Sequence, residues 1–147
     1  RIMGLDDPAK KMSKSAENPN NYIALLDSPE TIKEKIKSAV TDSGSEIKYD
    51  TENKPAISNL LLIYSLFSGK KISELEKDYA GKNYSVFKKE LAEVVIESLS
   101  PFQKKYKDLS ANPDYVKKVL RAGAEKARVI ASQTMAEVRS KIGFLEI

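Results

Sequence analysis

The sequence predicts a mainly α fold, a helical bundle behind a loop-bearing N-terminal segment. Three observations carry that expectation. Gly and Pro number only six each in 147 residues. Charged residues make up 31% of the chain and hydrophobic ones 41%. From residue 28 onward the apolar positions recur at intervals of three and four. Few helix breakers, a well-charged surface and a 3.6-residue period together favour packed helices over strands and turns.

Residues 1 to 20 read as loop, with Gly4, Asp6, Asp7 and Pro8 followed by a Lys/Ser run and Asn18-Pro19-Asn20-Asn21. The short apolar segment Tyr22-Ile23-Ala24-Leu25-Leu26 fits a strand or a helical turn equally. Ser28, Pro29 and Glu30 form a helix start, and Ile32, Ile36 and Val40 a stripe, which predicts a helix over 28–41. Residues 42–54 are a polar connector. The most apolar stretch, 55–68, places Ile57, Leu60, Leu61, Ile63, Tyr64 and Phe67 at core spacing and stops at Gly69. Ser73 with Glu76 three residues on predicts a capped short helix to Tyr79. A long helix over 85–109 carries Phe87, Leu91, Val94, Val95, Phe102 and Tyr106, with a kink expected near 97–101 from Pro101. After Pro113, Val116, Leu120, Gly123, Ala127, Ile130, Thr134 and Val138 repeat on one face until Gly143. The small members of that face permit close helix packing. Tyr64, Phe67, Phe87 and Phe102 are read as packing residues.

With no Cys there is no disulfide framework and no thiolate metal site, and no apolar run reaches the roughly 18 residues of a membrane span. A cytoplasmic setting without a membrane partner follows as the expectation. The start at Arg1, without a basic-then-apolar leader, predicts a chain that begins inside a larger protein. With no His, any chemistry rests on Lys, Ser, Tyr or carboxylates. Residues 110–147 hold seven cations against four acids, and they carry most of the net charge of +4. RNA or an ordinary solvated surface would both suit that excess.

Lys10-Lys11-Met12-Ser13-Lys14-Ser15 gathers three cations and two hydroxyls in six residues. Flexible ammonium groups can follow moving charge, and hydroxyls and loop amides bond phosphate oxygens directionally. Composition alone leaves a phosphate clamp and a solvated loop both open. Ser68-Gly69-Lys70-Lys71 is no P-loop, since Tyr64 and Lys71 stand where Gly and Ser or Thr are required. The carboxylates are scattered, and no metal site is expected in this stretch.

The string Lys11 to Ser15 is the second signature motif of class I aminoacyl-tRNA synthetases. With Arg1-Ile2-Met3-Gly4-Leu5, Asp7-Pro8, Ile36 to Ser43 and Ile57 to Leu61 in order, the chain resembles bacterial tryptophanyl-tRNA synthetases along essentially its whole length. The resemblance implies that residues 1–27 end a Rossmann catalytic domain and that residues 28–147 form the helical C-terminal domain on the tRNA side. It implies Lys11 and Lys14 as catalytic contacts to ATP phosphates, with Ile2, Lys11, Met12, Ser13, Lys14 and Ser15 as the ATP-binding set. Ile2 and Met12 would lie near the adenosine through backbone groups, and Ser13 and Ser15 would bond phosphates or shape the loop. ATP as substrate with Mg2+, tryptophan held by an upstream region, and the tRNA for tryptophan are the implied partners. The full enzyme is expected as a homodimer; this part is expected to be inactive, because the family's histidine motif lies elsewhere, and monomeric, because the family's dimer surfaces largely lie outside it. Lys117, Arg121 and Arg128 could form a basic row toward tRNA or a solvated face. The competing reading is a non-enzymatic basic helical module that binds RNA or protein.

Overall fold

The computed structural model describes residues 1–144. Its elements are a 3-10 turn, Pro19–Asn21, then α1 (Pro29–Ser38), α2 (Pro55–Ser68), α3 (Ile72–Asp78), α4 (Tyr84–Ser110) and α5 (Pro113–Ile142). Among the described residues there is no strand, only an isolated antiparallel bridge between Met3 and Lys11. The mainly helical expectation holds.

The chain forms two compact units, Arg1–Gln103 and Lys104–Ile147. Residues 1–27 share a core with the first four helices: Leu5 joins Ile32 and Ile36 of α1, Ile57, Leu60 and Leu61 of α2, Leu75 of α3, and Phe87, Leu91 and Val95 of α4. Helix α2 is the hub, because its apolar residues fall on most of its circumference and it is buried from Ala56 to Leu61 and again at Ile63 and Tyr64. Gly69 ends it with φ of 74°, the left-handed conformation that glycine adopts without strain. Tyr64, Tyr79 and Phe87 pack with ring centroids 5.0 to 5.7 Å apart. Tyr79 donates its hydroxyl proton to Glu90 and shares a hydrogen bond with Tyr64, and burial followed by those bonds pushes its phenol far above the ordinary value.

Polar ties fasten the irregular segments to this core. Lys35 is buried and meets Asp27 at 2.7 Å, with its ammonium 4.9 Å from the Tyr22 ring. Gln103 of α4 donates to the carbonyls of Leu25 and Asp27, at 3.0 Å each. Lys88 of α4 donates to the carbonyls of Ala39 and Lys37 at the C-terminal end of α1, and burial pulls its pKa down. Asp42 accepts from the Tyr84 hydroxyl at 2.8 Å and from Lys54 at 3.4 Å, which pins the connector.

Several expectations need correcting. Residues 22–26 are neither strand nor helix; they bend over the core as an irregular segment closed by Asp27 N–H to Ala24 carbonyl at 3.0 Å. Helix α1 stops at Ser38, so Val40 leaves the helical stripe and is exposed, its amide donating to Leu5. Helix α3 starts at Ile72. Its cap is Lys71, whose N–H donates to the Glu74 carboxylate at 3.2 Å, while Glu76 accepts from the Tyr49 amide. Phe67 in the last turn of α2, and Phe102 and Tyr106 where α4 has passed the last buried position at Leu99, are exposed rather than packed. Pro101 lies within α4. In the second unit, α5 runs as predicted from Pro113 to the Gly143 cap, but none of its residues is buried: Leu120 and Ile130 stand 66% and 68% exposed.

Candidate functional site

The Lys/Ser segment is held as a hairpin-like loop. Gly4 N–H donates to the Lys10 carbonyl at 2.8 Å and Met12 N–H to the Ile2 carbonyl at 3.1 Å, so residues 2–4 and 10–12 run antiparallel. Asp7 closes the turn between them. Its carboxylate accepts from the Ala9 amide at 3.0 Å and pairs with Lys10 at 3.2 Å, and those two contacts, the amide first, hold its carboxyl below the ordinary value. Lys10 is thereby engaged locally.

Lys11 and Lys14 are exposed, and neither is paired with a carboxylate among the described residues. Lys11 sits in the bridge opposite Met3. Lys14 occupies the corner of a tight turn in which Ala16 N–H donates to the Ser13 carbonyl at 3.1 Å and Ser15 N–H to the Ser13 hydroxyl oxygen at 3.2 Å. Ser13 therefore shapes the loop, and Ser15 stays exposed at its tip. Ile2 and Met12 spend the carbonyl and amide facing each other on their mutual bond. Their side chains line an apolar cavity of about 160 Å3 with Ile23, Ile63, Phe67 and Leu99.

Two asparagines brace this loop. Asn59, in the middle of α2, is 6% exposed; its oxygen accepts from the Met3 amide at 2.8 Å and its nitrogen donates to the Met3 carbonyl at 2.9 Å. Asn21, 5% exposed, accepts from the Ser13 amide at 3.0 Å and donates to Asp6, whose other carboxylate oxygen takes a bond from Asn18. The Asn21 side chain lies against Gly4, where a Cβ would overlap its amide nitrogen. Sequence reasoning passed over both residues. The available signal was a carboxamide set between Ile57 and Leu60 in the most apolar stretch, since a buried polar side chain must find partners.

The proposed tRNA-side residues lie on α5. Lys117, Arg121 and Arg128 fall within about 40° of one another around the axis at 3.6 residues per turn. Lys117 lies 3.9 Å from Asp114 and Arg128 pairs with Glu125 at 3.0 Å, leaving Arg121 without an acidic partner among the described residues. All three are exposed.

Chemically, the loop offers two unpaired ammonium groups and two hydroxyls on a frame fixed at both flanks, a donor array suited to phosphate oxygens. Residues 1–100 match the family model described as tRNA synthetases class I (W and Y). Over 145 residues the chain is 53% identical to the tryptophan–tRNA ligase of Caldanaerobacter subterraneus subsp. tengcongensis, covering 99% of this chain and 44% of that one. It is 51% identical to the tryptophan–tRNA ligase of Bacillus anthracis, over 97% of this chain and 43% of the relative. The crystal structure of tryptophanyl-tRNA synthetase from Mycoplasma pneumoniae superposes with a TM-score of 0.81 at 32% identity, covering 97% and 43% of the two chains. The Campylobacter jejuni tryptophanyl-tRNA synthetase, complexed with ADP and tryptophan, gives 0.74 at 37% identity, again over 97% and 43%. The chain spans less than half the length of these relatives.

Proposed function

The chain belongs to the class I tRNA synthetases for tryptophan and tyrosine, and from that membership we propose that it serves as the later part of a tryptophan–tRNA ligase. In this reading residues 1–27 end the Rossmann catalytic domain and residues 28–147 form the helical domain beside the tRNA. The observation that carries it is the braced loop: Lys11 and Lys14 stand exposed and unpaired on a fixed frame, in a chain 53% identical to a named tryptophan–tRNA ligase.

The activity proposed for the complete protein has two steps. A carboxylate oxygen of tryptophan attacks the α-phosphorus of ATP, the bond to the bridging oxygen breaks, and pyrophosphate leaves with its electrons. A ribose hydroxyl of the terminal adenosine of the tRNA then attacks the carbonyl carbon of the tryptophanyl adenylate, the acyl–phosphate bond breaks, and AMP leaves. Lys11 and Lys14 stabilise the charge that builds on the departing pyrophosphate, which requires no proton transfer and suits a chain without His. Ser15 and the Ser13 hydroxyl proton add hydrogen bonds to phosphate oxygens, and Ile2 and Met12 border the adenosine.

Mg2+ is expected to arrive on ATP itself. The loop's ammonium groups repel a divalent cation, and among the described residues no three His, Cys, Asp or Glu gather as ligands. No step assigned to this chain runs through the metal. Lys117, Arg121 and Arg128 supply a basic row toward the tRNA. No helix of the described structure is long and apolar enough to cross a membrane, and a cytoplasmic homodimer is the proposed state of the complete protein, with this segment alone a monomer that cannot activate tryptophan.

In the full-length protein, Lys14→Ala is expected to slow tryptophan-dependent ATP–pyrophosphate exchange by roughly 100- to 1000-fold, the usual cost of losing one preorganised contact to developing charge. A rate within about threefold of the unmodified protein, where a loss of at least ~100-fold is required, would sink the role.

A further inference from the structure

Asn21 and Asn59 carry polar side chains at 5% and 6% exposure, which is costly unless every bond is made. What they bond is informative. Asn59 spends both its donor and its acceptor on the backbone of one residue, Met3, fifty-six positions away. Met3 is the bridge partner of Lys11. Asn21 gives its acceptor to the amide of Ser13, the residue just before Lys14, and its donor to Asp6, which also holds Asn18. Gly4 leaves the space in which the Asn21 carboxamide lies. The two side chains thus clamp the backbone opposite Lys11 and immediately before Lys14, and neither bonds a side chain of the motif.

Resting on the reading that Lys11 and Lys14 act on the phosphates of ATP, we infer that Asn21 and Asn59 are positioning residues for that reaction. They fix the points from which the two lysine stems leave the backbone, so that the ammonium groups meet the charge forming on pyrophosphate. They touch no substrate. A lysine stem has four rotatable bonds, and its head is delivered reliably only if its root is held. Displacing a reacting group by about 1 Å can cost on the order of 100-fold in rate.

The test uses Asn→Leu substitutions, which keep the branched shape and remove both hydrogen-bonding atoms, in the full-length protein. Asn21→Leu and Asn59→Leu are expected to lower kcat for tryptophan-dependent ATP–pyrophosphate exchange by about 10- to 100-fold, with KM for tryptophan unchanged. Asn21→Leu in a Lys14→Ala background, and Asn59→Leu in a Lys11→Ala background, are each expected to cost less than about threefold, because a residue acting through a lysine has little left to position once that lysine is gone. A full multiplicative loss in these backgrounds overturns the inference, because general destabilisation would give it, and so does a rise in KM for tryptophan with kcat intact, which marks lost substrate binding instead. Unchanged kcat in both Asn variants while Lys14→Ala remains slow overturns positioning and leaves the lysine's role standing. An unchanged Lys14→Ala enzyme overturns both readings. If Asn59→Leu does not fold at assay temperature, Asn21→Leu decides the question, because its side-chain partners all lie between Gly4 and Ser13.

Discussion

At the scale of single residues, Gly4 shows how much depends on an absent atom. It has no left-handed backbone to maintain; what it supplies is room for the Asn21 amide, which a Cβ would overlap. Gly4→Ala should push Asn21 off Asp6 and Ser13, leaving buried polar groups unpaired at about 1 to 3 kcal/mol. Chemical denaturation of the protein with and without the substitution checks this, and a loss below about 0.5 kcal/mol, the level of an ordinary surface change, contradicts it. The buried pair of Lys35 and Asp27 works by a different logic. At 2.7 Å, with Tyr22 against the ammonium and the Ala24 amide on the carboxylate, it is satisfied on both sides, so its value lies in fixing where the loop segment meets α1 rather than in net stability.

At the scale of elements, the third helix separates two kinds of sequence signal. Ser73 and Glu76 have capping-box spacing, yet the helix begins one residue before Ser73 and is capped by Glu74 reaching back to the Lys71 amide. Glu74→Ala is therefore expected to cost about 0.5 to 1 kcal/mol in thermal unfolding, whereas Ser73→Ala stays within about 0.5 kcal/mol of neutral. The reverse ranking would restore the capping role to Ser73. The helices themselves were legible because their apolar spacing is long and regular. Helix α2 begins at Pro55 and ends before Gly69 as its sequence predicts. Which faces would be covered was not legible. Phe67, Phe102 and Tyr106 carry the same spacing as Phe87 and Leu91, and only the extent of the neighbouring elements decides that the first three remain exposed. In the site, the lysines could be recognised from an unbroken string. Asn59 left only the signal of a carboxamide in an apolar stretch and Asn21 left none, because the groups they bond, the backbone of Met3 and Ser13 and the Asp6 carboxylate, are brought close only by folding.

At the scale of the whole molecule, the two compact units differ in how they are held together. The first has a core of large, fully buried side chains such as Phe87, Ile57, Leu61 and Leu91. In the second, α5 exposes Val119, Leu120, Val129 and Ile130 and is stabilised by its own backbone ladder and the Gly143 cap at its C-terminal end. In proteins most of a helix's stability comes from tertiary packing of its apolar face. Amides of α5 in this chain are expected to exchange with solvent at least about 100-fold faster than those of α2, whose opening approaches global unfolding; equal protection in hydrogen-exchange measurements would contradict that difference. The Met3–Asn59 clasp, finally, sets an order of events. The two residues are separated by 56 positions, and chain entropy makes so distant a contact slow to form relative to the turns and helices between them. A growing polypeptide cannot fasten the stem of its lysine loop until α2 has been made and has turned its asparagine inward. The loop is written first and assembled late, so a chain interrupted before α2 would contain every letter of the motif without the clasp that holds its stem.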